Sequence, residues 1–295
     1  KRNLDIKNVE NELSIISGYS KEFEKILKKL KPKAVYIICF YNLSSFAMSL
    51  ACHKLKIKVI EYQHGFINDY YNMYTNWKNL PNNGFELLPD IFWVWAEDNA
   101  IKINEWSSKT NKHKAIVGGN MYLSYRSKKN NLIKKENKSS KKNILVILQF
   151  TDLPDFFISY LKKNKDNFNW YFRYHPLYPI QENTKIFLNS FAIEDIQKTS
   201  GRDLYDTFSF TNLIITLYST VAFEAQIHKI PTIFMGNYAK NGFKNLLGKN
   251  GLFYAKNEID LSKYLNNLDA ISNIDKAHIE LDENIIKKVI KSSLN

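Results

Sequence analysis

Cysteine, glycine and proline are scarce in this 295-residue chain, at 2, 10 and 7 residues. Cys39 and Cys52 have no Cys-x-x-Cys spacing, which excludes a disulfide scaffold or thiolate zinc site and reads as two reduced core thiols. Neither a Gly-x-Gly-x-x-Gly fingerprint nor a Walker A pattern occurs, so dinucleotide-binding and P-loop chemistry are not indicated. A serine triad has no Gly-x-Ser-x-Gly elbow to build on. There is no Asp-x-Asp and no metal-ligand cluster, so metal-independent chemistry is expected. Apolar runs such as 34–40 fall far short of the ~20 residues that span a bilayer. The amino end lacks the layout of a signal peptide. Acidic residues are also in deficit, 29 against 42 Lys plus Arg, and the net charge of +13 favours an anionic partner or simply a soluble surface.

What is present is a globular composition, 44% hydrophobic and 14% aromatic, arranged as alternating strands and helices. The apolar spacing predicts a helix over 9–30, with Gly18 as a candidate break, then a strand over 34–40, a helix over 44–55 and a strand over 58–61. Residues 68–89 are rich in Asn, Tyr and Pro without periodicity and read as a long surface loop. A strand over 90–95, a helix over 97–106 and a strand over 114–117 follow, ending in Gly118-Gly119-Asn120. Residues 127–142 are nearly all Lys, Asn, Ser and Glu, the composition of an exposed linker. A second alternating series starts at 143 and closes with helices over 258–268 and 275–292. The expected fold class is α/β, two Rossmann-like doubly wound domains facing a central cleft, with ligands outside the carboxyl ends of the strands. The boundaries are 1–125, a linker 126–142, and 143–295. The first half has few strands for a complete domain, which fits a chain shortened at its amino end.

Three segments carry candidate chemistry. Tyr171-Phe172-Arg173-Tyr174-His175-Pro176-Leu177 is an apolar strand stopped by a His-Pro, because proline cannot continue the ladder. Leu217-Tyr218-Ser219-Thr220-Val221-Ala222-Phe223-Glu224 follows a buried strand and opens a helix with two hydroxyls and unpaired N–H groups, a seat for phosphate. Ile60-Glu61-Tyr62-Gln63-His64-Gly65-Phe66 puts a histidine in a turn beyond a strand, beside a glycine that would let the backbone bend tightly.

In order and spacing over roughly residues 30 to 260, these segments resemble GT-B fold bacterial surface-polysaccharide glycosyltransferases. The Gln-His-Gly turn looks like that of capsule and lipopolysaccharide transferases, and is similar to the Trp-His-Gly turn of teichoic-acid glycerophosphotransferases. The resemblance implies that His64 is the base for an acceptor hydroxyl; Glu61 and Asp69 flank it in the sequence and are candidates to orient its ring or to act as the base instead. It implies a donor site of Arg173, His175, Pro176, Ser219 and Thr220, with Glu224 on a ribose hydroxyl. The donor is a nucleotide-sugar used as substrate, a CMP-linked acidic sugar of the Kdo or sialic-acid kind being favoured, with no cofactor and no metal. The acceptor would be a growing surface glycan or glycolipid, and the location cytoplasmic, in peripheral contact with the anionic inner-membrane surface. The alternatives are a CDP-glycerol-type glycerophosphotransferase, a sugar-nucleotide epimerase on the same fold and, outside enzymes, a basic nucleic-acid or membrane-surface binder. Nucleic acid is not the expected partner, because the lysines are spread through nearly every segment rather than gathered in a stripe.

Overall fold

The computed structural model describes residues 5–130, 140–176, 181–191 and 200–294. The chain forms two compact units, residues 1–124 with 280–295, and residues 125–279.

The first unit is a four-stranded parallel sheet in the order β1 (Ala34–Ile37), β2 (Lys58–Tyr62), β3 (Ile91–Val94), β4 (Lys114–Val117). Each strand is added on the same side of the last. Right-handed crossovers in such a series all pass over one face. That face carries α1 (Ile6–Leu30), α2 (Leu43–Lys54) and α3 (Glu97–Ser107). Alternation along the strands sends Val59, Phe92 and Val94 into this layer with Leu27, Cys52, Ile103 and Trp106, and sends Ile60, Ile91 and Trp93 to the other. The winding alone leaves that second apolar face bare. It is covered by the last helix of the chain, whose Ile286, Val289 and Ile290 pack on Ile60, Ile91 and Trp93.

This return places residues 280–295 in the first unit, where the sequence reading had them in a carboxyl-terminal domain of 143–295. The crossing point is Gly118-Gly119-Asn120. Gly119 sits at φ +71°, and a Cβ there would lie 2.5 Å from the Glu280 carbonyl oxygen. The Asn120 N–H donates to that oxygen at 3.1 Å, and the Glu280 N–H donates to Trp95 O at 2.8 Å. The final helix starts only at Glu283, capped by Asp282, which accepts from Asn284 N–H at 2.8 Å. Its expected start at 275 is too early.

α1 runs unbroken through Gly18, where a Cβ would meet nothing within 4 Å. β1 stops at Ile37 rather than at 40, because Cys39 turns into the left-handed region at φ +59°. Cys39 is therefore a half-buried turn residue, whereas Cys52 is fully buried. Residues 126–130, expected in the linker, lie in α4 (Met121–Asn130), whose first turn is held by Asn120 accepting from Leu123 N–H at 3.0 Å. Residues 131–139 of that expected linker lie outside the described residues.

The second unit is a five-stranded parallel sheet in the order β6-β5-β7-β8-β9, formed by β5 (Asn143–Ile147), β6 (Asn169–Arg173), β7 (Leu213–Thr216), β8 (Thr232–Phe234) and β9 (Leu252–Tyr254). The strand order reverses at β5, so a topological switch point lies between β5 and β7, where open α/β sheets bind ligands at their carboxyl ends. Ile144, Val146, Leu213, Ile215 and Ile233 pack one face against Phe157, Leu161 and Leu261. Phe157 and Leu161 come from α5 (Asp155–Lys163), and Leu261 from the helix Glu258–Leu265.

Candidate active site

His64 stands where β2 has ended, in a turn pinned from beneath. The buried Gln63 side chain accepts from Trp95 N–H at 2.7 Å and donates to Gly65 O at 2.7 Å and to Asn99 Oδ1 at 2.9 Å. Asn99 in turn donates to Ile67 O at 2.9 Å. Both sides of the imidazole's turn are thus tied to β3 and α3, while His64 itself is exposed. Gly65 is not in the left-handed region, and a Cβ there would meet nothing within 4 Å. Its expected role in a tight bend is replaced by open space beside His64.

The ring is held by a tyrosine. Tyr41 Oη lies 3.0 Å from His64 Nε2, and Tyr41 shares a short hydrogen bond with Tyr71. In the tautomer in which Tyr41 donates to Tyr71, its oxygen accepts from Nε2–H and the lone pair of His64 falls on Nδ1. Desolvation by the surrounding protein holds the imidazole below its ordinary pKa, so it is neutral, as a base must be, at neutral pH. Burial also pushes the Tyr41 phenol up, which keeps it protonated.

Neither carboxylate expected to orient the ring does so. Glu61 is 2% exposed and turned inward, accepting at one oxygen from Phe40 N–H at 3.1 Å and from Tyr74 Oη at 2.6 Å. Burial raises its pKa to about 7 against the opposing pull of those two donors. Asp69 is ion-paired with Lys102. Tyr71 and Tyr74, whose rings are 5.1 Å apart, join the two systems around Tyr41.

In the second unit, His175 and Pro176 follow β6, and Ser219 and Thr220 follow β7, with β5 between them. At about 4.8 Å per strand, the two motifs stand about 10 Å apart along the strand ends. His175 is half-buried and Pro176 exposed. Arg173 donates through Nη1 to Arg202 O at 2.9 Å, and burial lowers its pKa. The Tyr174 N–H donates to Ser200 Oγ at 2.9 Å, fixing the approach to His175. Ser219 Oγ accepts from Val221 N–H at 3.4 Å, and the Thr220 side chain makes no capping bond. The helix they open is five residues long, Val221–Ala225, too short to sum a full macrodipole, so the local N–H groups and hydroxyls carry any hold on phosphate. Glu224 accepts from Tyr205 Oη, and burial raises its pKa.

Sequence reasoning passed over several residues that build these sites. Gln149, just past β5, accepts at Oε1 from Tyr218 N–H at 2.9 Å and from Thr216 Oγ1 at 3.3 Å, and so sets the turn that presents Ser219. A polar residue just past the apolar run 144–148 is the signal the sequence offers. Arg126 lies 5.0 Å over the Tyr205 ring and 2.9 Å from Asp203, and reaches the Glu224 region from a segment that reads as linker. Tyr41, Tyr71 and Tyr74 lie in loops whose sequence has no periodicity to exploit. Among the described residues no three His, Cys, Asp or Glu side chains converge as metal ligands. A cavity of about 490 Å³ opens elsewhere, at the amino-terminal edge of the first sheet, among His53, Lys58, Asp90, Lys112 and Lys114.

No protein-family profile matches the chain. One curated relative, a UDP-N-acetylglucosamine–N-acetylmuramyl-(pentapeptide) pyrophosphoryl-undecaprenol N-acetylglucosamine transferase of Caldicellulosiruptor saccharolyticus, is 47% identical over 60 residues, 20% of this chain and 15% of that protein's length. Among solved structures, the UDP-GlcNAc 2-epimerase of Neisseria meningitidis bound to UDP-GlcNAc superposes with a TM-score of 0.60 at 17% identity, over 100% of this chain and 82% of that one. The UDP-GlcNAc 2-epimerase of Methanocaldococcus jannaschii gives 0.62 at 16% identity, over 95% and 82%. At these identities the likeness establishes the fold, two parallel-sheet α/β units of the GT-B type. No helix among the described residues is long and apolar enough to cross a membrane.

Proposed function

We propose that this chain is a nucleotide-sugar enzyme and, within that class, a glycosyltransferase acting on a growing bacterial surface glycan. The observation that carries the reading is His64: an exposed imidazole, held below its ordinary pKa, with Nε2 on Tyr41 and open space at Gly65 beside it. That is the equipment of a base for an acceptor hydroxyl. Nδ1 takes the hydroxyl proton as the acceptor oxygen attacks the anomeric carbon, and the sugar–phosphate bond breaks with its electron pair leaving on the nucleotide. His175, Ser219 and Thr220 hold the departing phosphate at the switch point of the second sheet. Glu224 receives the ribose, and Arg173 and Pro176 shape the strand end that presents His175.

The His-Pro and Ser-Thr pairing supports a CMP-linked acidic sugar as donor. A UDP-sugar is supported by the transferase match and by the ligand of the Neisseria structure. A second reading, 2-epimerisation of a UDP-sugar, is favoured by the whole-chain likeness to proteins of that activity. Thermal stabilisation by CMP, CDP, UDP and GDP, with His175→Ala and Ser219→Ala as controls, reads the donor class by mass action. Incubating the stabilising nucleotide's sugar conjugates with and without an acceptor glycan, followed by NMR of the sugar, separates the reactions. A new glycosidic product supports transfer, and inversion at C2 without acceptor supports epimerisation. A CDP response with glycerophosphate transfer supports the third reading, and no stabilisation by any nucleotide would overturn the donor site.

A further inference from the structure

The cavity at the amino-terminal edge of the first sheet has no part in the chemistry above. Lys58 begins β2 and Lys114 begins β4, whereas His64 lies past the other end of β2. The strand alone separates Lys58 from Tyr62 by about 13 Å at about 3.3 Å per residue. The cavity measures about 490 Å³ and is lined by His53, Lys56, Lys58, Asp90, Lys112 and Lys114, among others. This is the size of a small-molecule site.

Its charge is unbalanced. Some lysines elsewhere in the chain meet carboxylates, as Lys54 meets Glu24, Lys102 meets Asp69 and Lys163 meets Glu258. None of the four lysines around the cavity has an ion-pair partner among the described residues. The one carboxylate in the lining, Asp90, is already engaged: Oδ2 accepts from Val59 N–H at 2.8 Å, and Oδ1 lies 3.2 Å from His53 Nε2. Lys112 Nζ lies 3.1 Å from His53 Nδ1, which itself faces the Glu86 carbonyl at 2.7 Å. Lys112 is half-buried, and burial lowers its pKa against the attraction of the Asp90 and Glu86 carboxylates, neither of which pairs with it directly. Four lysines against the single carboxylate of Asp90 leave the concavity's lining net positive, and a multiply charged anion is attracted to such a lining.

We propose that this cavity is a second anion site, which takes a phosphate or diphosphate group on the opposite edge of the sheet from His64. The group could come from a soluble phosphorylated compound or from a phospholipid headgroup, and the two arms of the test separate these sources.

In the first arm, inorganic pyrophosphate is titrated into the full chain while amine acylation of Lys58 and Lys112 is followed by mass spectrometry, with Ser219→Ala run alongside to remove any contribution of the second unit. Saturable protection of both lysines, unchanged in Ser219→Ala and weakened at least about tenfold in calorimetry by Lys58→Gln with Lys112→Gln, is the expected result for a soluble ligand. In the second arm, flotation is measured with vesicles of phosphatidylglycerol and phosphatidylcholine in equal parts against phosphatidylcholine alone. Flotation specific to the anionic vesicles and lost in the lysine double variant assigns the headgroup. Lys56→Gln with Lys114→Gln gives an independent pair should the first fail to fold. Stabilisation by nucleotide stays intact in both pairs, which separates this site from the donor site. Absence of protection together with vesicle binding indifferent to the lysines overturns the proposal.

Discussion

The two sheets are wound differently, and the difference decides how each presents its chemistry. The second reverses its strand order at β5, so its topology alone opens a crevice flanked by His175 on one side and Ser219 and Thr220 on the other. The first adds β1 to β4 in one direction and has no such reversal. Its candidate base is placed instead by a side-chain network, with Gln63 and Asn99 pinning the turn and Tyr41 holding the ring. One site is drawn by the fold and the other by loops. Two carboxylates repeat the contrast. Glu61 and Glu224 each accept from a tyrosine hydroxyl, but Glu61 is sealed inside the network and Glu224 is partly open at a helix start.

The strongest test of this division is the pair of histidines. His64→Ala is expected to lower kcat by about 10²–10⁴-fold while leaving stabilisation by nucleotide in place. His175→Ala is expected to abolish that stabilisation. Equal loss of nucleotide binding in both variants would erase the distinction between a base and a donor ligand.

The carboxylates come next. Glu61→Ala leaves Phe40 N–H and Tyr74 Oη without their acceptor inside the core, and is expected to lower unfolding free energy by about 2–4 kcal/mol. Glu224→Ala is expected to cost about 1 kcal/mol, since Tyr205 keeps the Arg126 guanidinium over its ring. Urea denaturation of the two variants side by side measures the gap. Comparable losses would mean that Glu224 is as structural as Glu61.

Glu61 also gives stability a pH dependence of definite sign. Its folded pKa, about 7, lies above the unfolded value near 4.5, so the native state binds more protons across that window. The stability that protonated Glu61 contributes is fully present below about pH 4.5 and is lost as pH rises through about 7, an effect of up to about 3 kcal/mol. Glu61→Gln, which cannot ionise, is expected to flatten that slope. A wild-type profile that rises over the same interval would show that the network binds Glu61 as the anion.

Much of the architecture was legible because it is periodic. The apolar run Ile91-Phe92-Trp93-Val94 reads as a strand buried on both faces, and its residues are divided between the two layers. His64 and His175 follow strands because the apolar runs before them end there. What could not be read was non-local. The final helix is amphipathic, but nothing within it says that the face it covers is the one left bare by a unidirectional sheet far earlier in the chain. Arg126 sits in a lysine-rich stretch with the composition of a linker, and its use depends on Asp203 and Tyr205. The tyrosines around His64 come from two loops and meet only once β1 and β2 are paired.

Glycines give the smallest and most discriminating test of the contrast. A Cβ on Gly236 would lie 2.7 Å from Leu217 O, where the turn after β8 presses on the turn that carries Ser219. Gly236→Ala should therefore destabilise by about 1–3 kcal/mol, as overpacking does. A Cβ on Gly65 would meet nothing, so Gly65→Ala should leave stability within about 0.5 kcal/mol of wild type. If the space beside His64 exists to admit an acceptor, the same methyl should raise the acceptor KM with the nucleotide response unaltered. If Gly65→Ala changes neither stability nor acceptor KM, the room beside the imidazole is ordinary surface and the acceptor approaches His64 from another side.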